Sequence, residues 1–170
     1  MATQPVGGFS YILLPSRFGT VGLVWVETQE GPQVHRVFLP RDQTPTEQIV
    51  RSAFAGVQRL SCPAIAALGE GISRFLEGEA VIFPLRMLAM ETCRTFQRRV
   101  LLAEYQIPRG WVSTYSRIAR SLGAAGAARA VGNALARNPF PILIPCHRAI
   151  QSGGGLGGFQ GGVRMKRALL

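Results

Sequence analysis

The 170-residue chain is 47% hydrophobic, enough for a globular core of one large or two small domains. It holds no run of apolar residues long enough for a membrane span and, in MATQPVGGFS, no secretory-signal pattern. Its three cysteines stand far apart, at Cys62, Cys93 and Cys146, with two histidines and no CxxC spacing; neither a disulfide framework nor a zinc site is expected, and a reducing cytoplasm fits best. The net charge of +10 is segregated: residues 1–93 carry seven arginines against eight acids, whereas residues 94–170 carry eleven arginines and a lysine against Glu104 alone. Such a basic half is the footprint of a surface that neutralises phosphates.

In chain order, SYILLP, VGLVWVET and QVHRVFLP are rich in β-branched and aromatic residues and predict short strands. Turn chemistry at Gly19, Gly31 and Pro32 makes them a small antiparallel sheet. Helices are expected over Thr44 to Leu60 and over Pro63 to Leu76, the second with proline at a favourable start and Gly78 near its stop. The change of charge falls near FPLRMLAMETC, which sets the expected domains at 1–88 and 89–170. A helix over RTFQRRVLLAEYQ then ends at Pro108 and Gly110. Two short helices, Tyr115 to Leu122 and Ala127 to Ala136, flank a glycine-containing turn and describe a helix-turn-helix.

The second of these helices, AARAVGNALAR, has little side-chain bulk. Ala128, Ala130 and Gly132 allow close approach to another surface, and only Arg129, Asn133 and Arg137 project length. Major-groove readers normally extend polar side chains to base edges, so weak sequence specificity is expected, with Arg129 suited to act as a wedge into the base stack.

Asn138-Pro139 breaks that helix. Phe140 to Ile144 then reads as a buried extended run, and Pro145 delivers Cys146 at its tip. His147 and Arg148 beside the thiol are expected to favour the reactive thiolate. QSGGGLGGFQGG follows, with seven glycines in twelve residues, a pliable loop whose backbone can come close to a ligand. Cys62, Cys93 and His35 read as packing residues. Adjacent residues of an extended chain point to opposite sides, so Cys146 and His147 are not expected to form a papain-type dyad. The imidazole would act through a water, which argues against a hydrolase.

IPCHR, preceded by AARAVG and NP and followed by a glycine loop and KRALL, resembles the O6-alkylguanine-DNA alkyltransferases, the methylated-DNA–protein-cysteine methyltransferases. The similarity covers residues 95–170 closely and the N-terminal half loosely. It implies an α/β N-terminal domain with a ribonuclease-H-like sheet and a winged-helix-like C-terminal domain. It also implies a monomer that binds the minor groove of duplex DNA containing O6-alkylguanine and rotates the damaged base outward. By this resemblance Cys146 is the alkyl acceptor, His147 takes its proton through a water, and Tyr115 helps flip the nucleotide and donates a proton to the base. Asn138 holds the active-site turn, Arg148 is structural, and Arg129 fills the vacated stack. Ala128, Ala130, Gly132, Asn133 and Arg137 would meet DNA, while Gly158, Phe159 and Gln160 would line the substrate pocket. The thioether product implies a single turnover and no cofactor.

Two positions depart from the family pattern. Phe159 stands where a tyrosine is usual, and the glutamate that ends the family's Cys–water–His–Glu network would fall three positions beyond Leu170. Glu104, the one acid of this half, is remote in sequence from the thiol. A thiol partly ionised near neutral pH would soften the loss of an orienting carboxylate. An alternative is a lesion-binding protein that recognises O6-alkylguanine without efficient transfer. A third reading, a transcription regulator, is disfavoured by the alanine-rich helix.

Overall fold

The structure is a computed structural model, and it describes residues 7–41 and 43–170. The chain divides into two compact units, Met1–Ala89 and Met90–Leu170.

In the first unit, strands β1 (Ser10–Leu14), β2 (Val21–Thr28) and β3 (Gly31–Phe38) form an antiparallel meander. The β2–β3 turn closes through Gly31, whose φ of 106° suits glycine, and through Thr28, whose hydroxyl donates to the Gly31 carbonyl at 2.7 Å. The sheet is not purely antiparallel as the sequence led us to expect. A two-residue strand β4 (Gln58–Arg59) joins the other edge parallel to β1, giving the order β3-β2-β1-β4.

Helix α1 (Thr46–Ala53) stops well short of Leu60. Phe54 turns extended and packs edge-on against Phe9 and Phe38, and Gly56 takes a left-handed φ of 73°. Aromatic packing and a left-handed glycine together override helical periodicity here. Helix α2 (Pro63–Leu76) has the expected bounds. A small core gathers Tyr11, Val24, Val50 and Val57. On β2, Gly22 sets how closely α1 approaches the sheet: a Cβ there would lie 2.9 Å from methyls of both Thr46 and Val50. Those side chains are stiff, so Gly22→Ala is expected to destabilise the protein by about 1–3 kcal/mol, read as a lowered urea midpoint with unchanged slope.

In the second unit, α3 (Thr95–Tyr105) packs on α4 (Tyr115–Ser121) and α5 (Ala128–Ala136). Thr114 caps α4 by accepting from the Arg117 amide at 3.1 Å. Gly123 and Gly126 make the turn between α4 and α5 with φ of 71° and 89°. Gln97 of α3 donates to the Ala134 and Arg137 carbonyls at the end of α5, groups that have no partner within the helix. Short strands β5 (Ser113–Thr114) and β6 (Ala149–Ile150) pair in parallel, and α6 (Gly162–Leu169) closes the unit.

Residues 140–144 do not run extended. They are buried, but fold into a tight turn in which the Ile144 amide donates to the Phe140 carbonyl at 2.8 Å and Ile142 has φ of 74°. The left-handed region is costly for a β-branched residue, and what holds it there is Asn138. Its Oδ1 accepts from the Phe140 amide at 2.9 Å, and its Nδ2 donates to the Ile144 carbonyl at 3.3 Å.

Candidate active site and DNA-facing surface

Behind that turn the chain enters a single 3-10 turn, Cys146–Arg148. Cys146 and His147 therefore sit on a helical turn rather than on a strand, and both are buried, at 6% and 1% exposure. Cys146 reaches a cleft of about 240 Å³ lined also by Tyr115, Gly132, Leu135, Ala136, Gly158, Phe159 and Gln160. Tyr115 begins α4, Gly132 lies on α5, and Gly158 to Gln160 belong to the glycine loop before α6. Gln160 is fixed there by donating to the Asn138 carbonyl at 2.7 Å. The Phe159 ring stands edge-on to the His147 imidazole, with centroids 6.2 Å apart. Gly157 lets the loop lie against Tyr115: a Cβ there would be 2.6 Å from the phenol oxygen.

A second, outer groove shares Tyr115, Gly132 and Gly158 with the cleft and adds Ser116, Ala128, Arg129, Asn133, Gln151, Ser152 and Gly157. The helix α5 buries Val131, Ala134 and Leu135 and leaves Arg129, Ala130 and Asn133 exposed. Arg137, just past its end, is exposed as well. The structure thus gathers Cys146, Tyr115 and the loop residues around one cleft, with Arg129 on the adjoining surface. A larger depression beside Glu47 and Arg51 in the first unit has neither thiol nor imidazole among its lining residues.

The electrostatics correct one sequence-based expectation. Burial, not the neighbouring cations, dominates Cys146 and pushes its thiol up to about 12; Asn138 and Lys166 pull the other way, and Glu104 adds to the rise. Burial, Arg148 and Lys166 hold His147 down to about 3, so its imidazole is neutral. Tyr115 is raised, first by burial and then by Glu104 and Cys146, and keeps its phenolic proton. Arg148 sends its Nη1 to the Ile107 carbonyl at 2.6 Å, tying the thiol turn to the end of α3.

Sequence reasoning missed two groups. Lys166 of α6 is fully buried, and its Nζ donates to the Ala149 carbonyl at 2.6 Å and the Gly158 carbonyl at 3.3 Å. Glu104, on the last turn of α3, is also fully buried, and α3 packs on the thiol turn. Burial raises its carboxyl to about 8, against the opposing pull of Lys166, Arg148 and the Ala149 amide. A lysine inside an amphipathic helix and an acid on an otherwise basic half are weak signals, though the second was visible. Among the described residues no group of three or more potential metal ligands comes together, and no helix is long and apolar enough to cross a membrane.

Residues 95–170 match the family model described as 6-O-methylguanine DNA methyltransferase, DNA binding domain. A methylated-DNA–protein-cysteine methyltransferase of Methanothermobacter thermautotrophicus is 49% identical over 107 residues, covering 63% of this chain and only 60% of that relative. The Salmonella typhimurium protein of the same name is 35% identical over 162 residues, 93% of this chain and 94% of its own length. Among solved structures, Mycobacterium tuberculosis OGT in complex with DNA superposes with a TM-score of 0.71 at 30% identity, covering 95% of this chain and 89% of that one. The O6-methylguanine-DNA methyltransferase of Pyrococcus kodakaraensis gives 0.69 at 25% identity, covering 95% and 96%. With the Salmonella typhimurium relative 35% identical and matched over nearly its whole length, the chain belongs to the methylated-DNA–protein-cysteine methyltransferase family.

Proposed function

We propose that this protein takes the alkyl group of O6-alkylguanine in duplex DNA onto Cys146, irreversibly and once per molecule. The observation that carries this reading is the wall shared by the thiol cleft and the outer groove, formed by Tyr115, Gly132 and Gly158. A base rotated out of a duplex lying on α5 passes directly into the cleft. Rotation costs a few kcal/mol; Arg129, exposed on a helix of small residues, fills the gap, while Ala128, Ala130, Asn133 and Arg137 meet the DNA backbone. In the cleft the sulfur attacks the alkyl carbon in line, the carbon–O6 bond breaks, and its electron pair stays with guanine. Tyr115 gives the base a proton, and His147 accepts the thiol proton through a water. Because the thiol is protonated at rest, it ionises as part of transfer rather than beforehand. Asn138 holds the active-site turn, and Arg148 is structural, through its bond to Ile107.

The finer architecture belongs to the same proposal. The order β3-β2-β1-β4 with one parallel edge suits a ribonuclease-H-like N-terminal domain, and α4 and α5 beside the β5–β6 pair suit a winged-helix-like C-terminal domain, with the boundary near residue 89. One chain supplies every residue of the cleft, so a monomer suffices, and its free cysteines suit the cytoplasm. Incubation with a duplex containing O6-methylguanine is expected to add one methyl group to the peptide bearing Cys146, seen by mass spectrometry, and Cys146→Ala to abolish it. Tight binding to the damaged duplex with an unmodified Cys146 would sink the transfer reading in favour of lesion recognition.

A further inference from the structure

Two fully buried ionisable side chains that transfer itself does not use, Glu104 and Lys166, lie with Cys146 in one cluster. Lys166 reaches it from α6, Glu104 from α3, Cys146, His147 and Arg148 from the 3-10 turn, and Tyr115 from α4; Arg109 acts electrostatically on Arg148. The ammonium of Lys166 is anchored on the carbonyls of Ala149 and Gly158, the second of which lines the cleft. Glu104 has both oxygens out of contact with water and meets no donor at full hydrogen-bond geometry. A buried carboxyl without such partners is stable only while neutral, or while a nearby cation compensates it.

We propose that Glu104 is a positioning residue that competes with Cys146 for the buried Lys166 ammonium, so that its neutral form leaves that cation to the sulfur. The competition has a definite sign. Lys166 favours a negative sulfur, and Glu104 opposes one; Lys166 likewise favours an ionised Glu104. Two anions around one buried ammonium repel each other, so whichever acid ionises first raises the other. While Glu104 keeps its proton, Lys166 is available to the negative charge that appears on sulfur as Cys146 gives up its proton. Once Glu104 ionises, the thiol holds its proton harder and transfer slows relative to a site that cannot take that charge. Glu104 thereby sets an upper pH limit on the efficiency of the nucleophile.

This inference deepens the proposed transfer reaction, and its test is chosen to stand apart from DNA. The rate of Cys146 alkylation by iodoacetamide is followed from pH 6.5 to pH 9.5 by site-resolved mass spectrometry, in the full chain and in Glu104→Gln. The two proteins are expected to react alike at pH 6.5 and to diverge above about pH 8, where Glu104 titrates. There Glu104→Gln is expected to react about tenfold faster, as for a shift of one pKa unit at the sulfur. Glu104→Met, also uncharged, should behave as Glu104→Gln does, and in a Lys166→Met background the gain from Glu104→Gln should shrink to what direct repulsion between carboxylate and sulfur contributes. Superimposable pH profiles would reduce Glu104 to a packing residue, and a slower Glu104→Gln would mean that the ionised carboxylate helps the sulfur; either overturns the proposal. Divergence of the iodoacetamide profiles in a protein that takes no methyl group from DNA would sustain the competition while removing the repair reading.

Discussion

Asn138→Ala is expected to produce the largest combined loss, destabilising the protein by about 2–4 kcal/mol and slowing methyl transfer by at least an order of magnitude. The stability figure follows from the buried Phe140 amide left without a partner, at about 1–3 kcal/mol, and from the lost bond to the Ile144 carbonyl, which still accepts from the Cys146 amide, at about 0.5–1.5 kcal/mol. Asn138 braces both ends of the turn that holds Ile142 in its left-handed conformation, leaving only the Ile144-to-Phe140 backbone bond once it is removed, so the turn that delivers the thiol relaxes. The Asn138 side chain is also the strongest influence lowering the Cys146 pKa, and its removal leaves the sulfur harder to ionise. Asn138→Asp separates the two effects. It keeps the acceptor for Phe140, loses the donor to Ile144, and brings a negative charge toward the thiol. Urea unfolding should therefore find it more stable than Asn138→Ala at neutral pH. Single-turnover transfer should nevertheless find it at least as slow. If both variants transferred at the parent rate, the asparagine would have no part in presenting the nucleophile.

The legible parts of this molecule were those governed by local chemistry. Apolar runs broken by Gly19 and by Gly31-Pro32 gave the β-meander, Pro63 marked the start of α2, and the glycines after α4 marked the turn between the paired helices. What escaped was decided by contacts distant in the chain. The end of α1 depends on where Phe54 finds Phe9 and Phe38, and β4 exists only because β1 offers an edge. Phe140 to Ile144 has the composition of a strand, yet a single asparagine side chain closes it into a turn. The cleft was legible as far as PCHR and the glycine loop identify it, since those residues are close in sequence. Glu104 was visible as a lone acid but not as a neighbour of the thiol, because α3 must first pack on the thiol turn. Reading His147 and Arg148 as activators failed for the same reason: adjacency suggests charge, whereas burial decides whether charge is present at all.

Glu104 and His147 together are expected to give the protein a stability plateau between about pH 4.5 and 6.5 that falls away on both sides. Glu104 is raised from 4.5 to about 8. Between those values the native state holds a proton that the unfolded chain has released, so stability falls as pH rises. His147 is lowered from 6.5 to about 3, and there the unfolded chain binds the extra proton, so stability rises with pH. The two slopes oppose each other from 4.5 to 6.5 and cancel. Above 6.5 only Glu104 contributes, at about 1.4 kcal/mol per pH unit, and the loss reaches about 2 kcal/mol by pH 8. Below 4.5 only His147 contributes, and stability falls toward pH 3. In Glu104→Gln the alkaline limb is expected to vanish: stability climbs to pH 6.5 and then holds level to pH 8. Urea unfolding of the two proteins at pH 5.5, 6.5 and 8 reads this directly. Parallel curves would mean that Glu104 carries the same charge folded and unfolded, which its complete burial without a full hydrogen-bond donor makes energetically untenable.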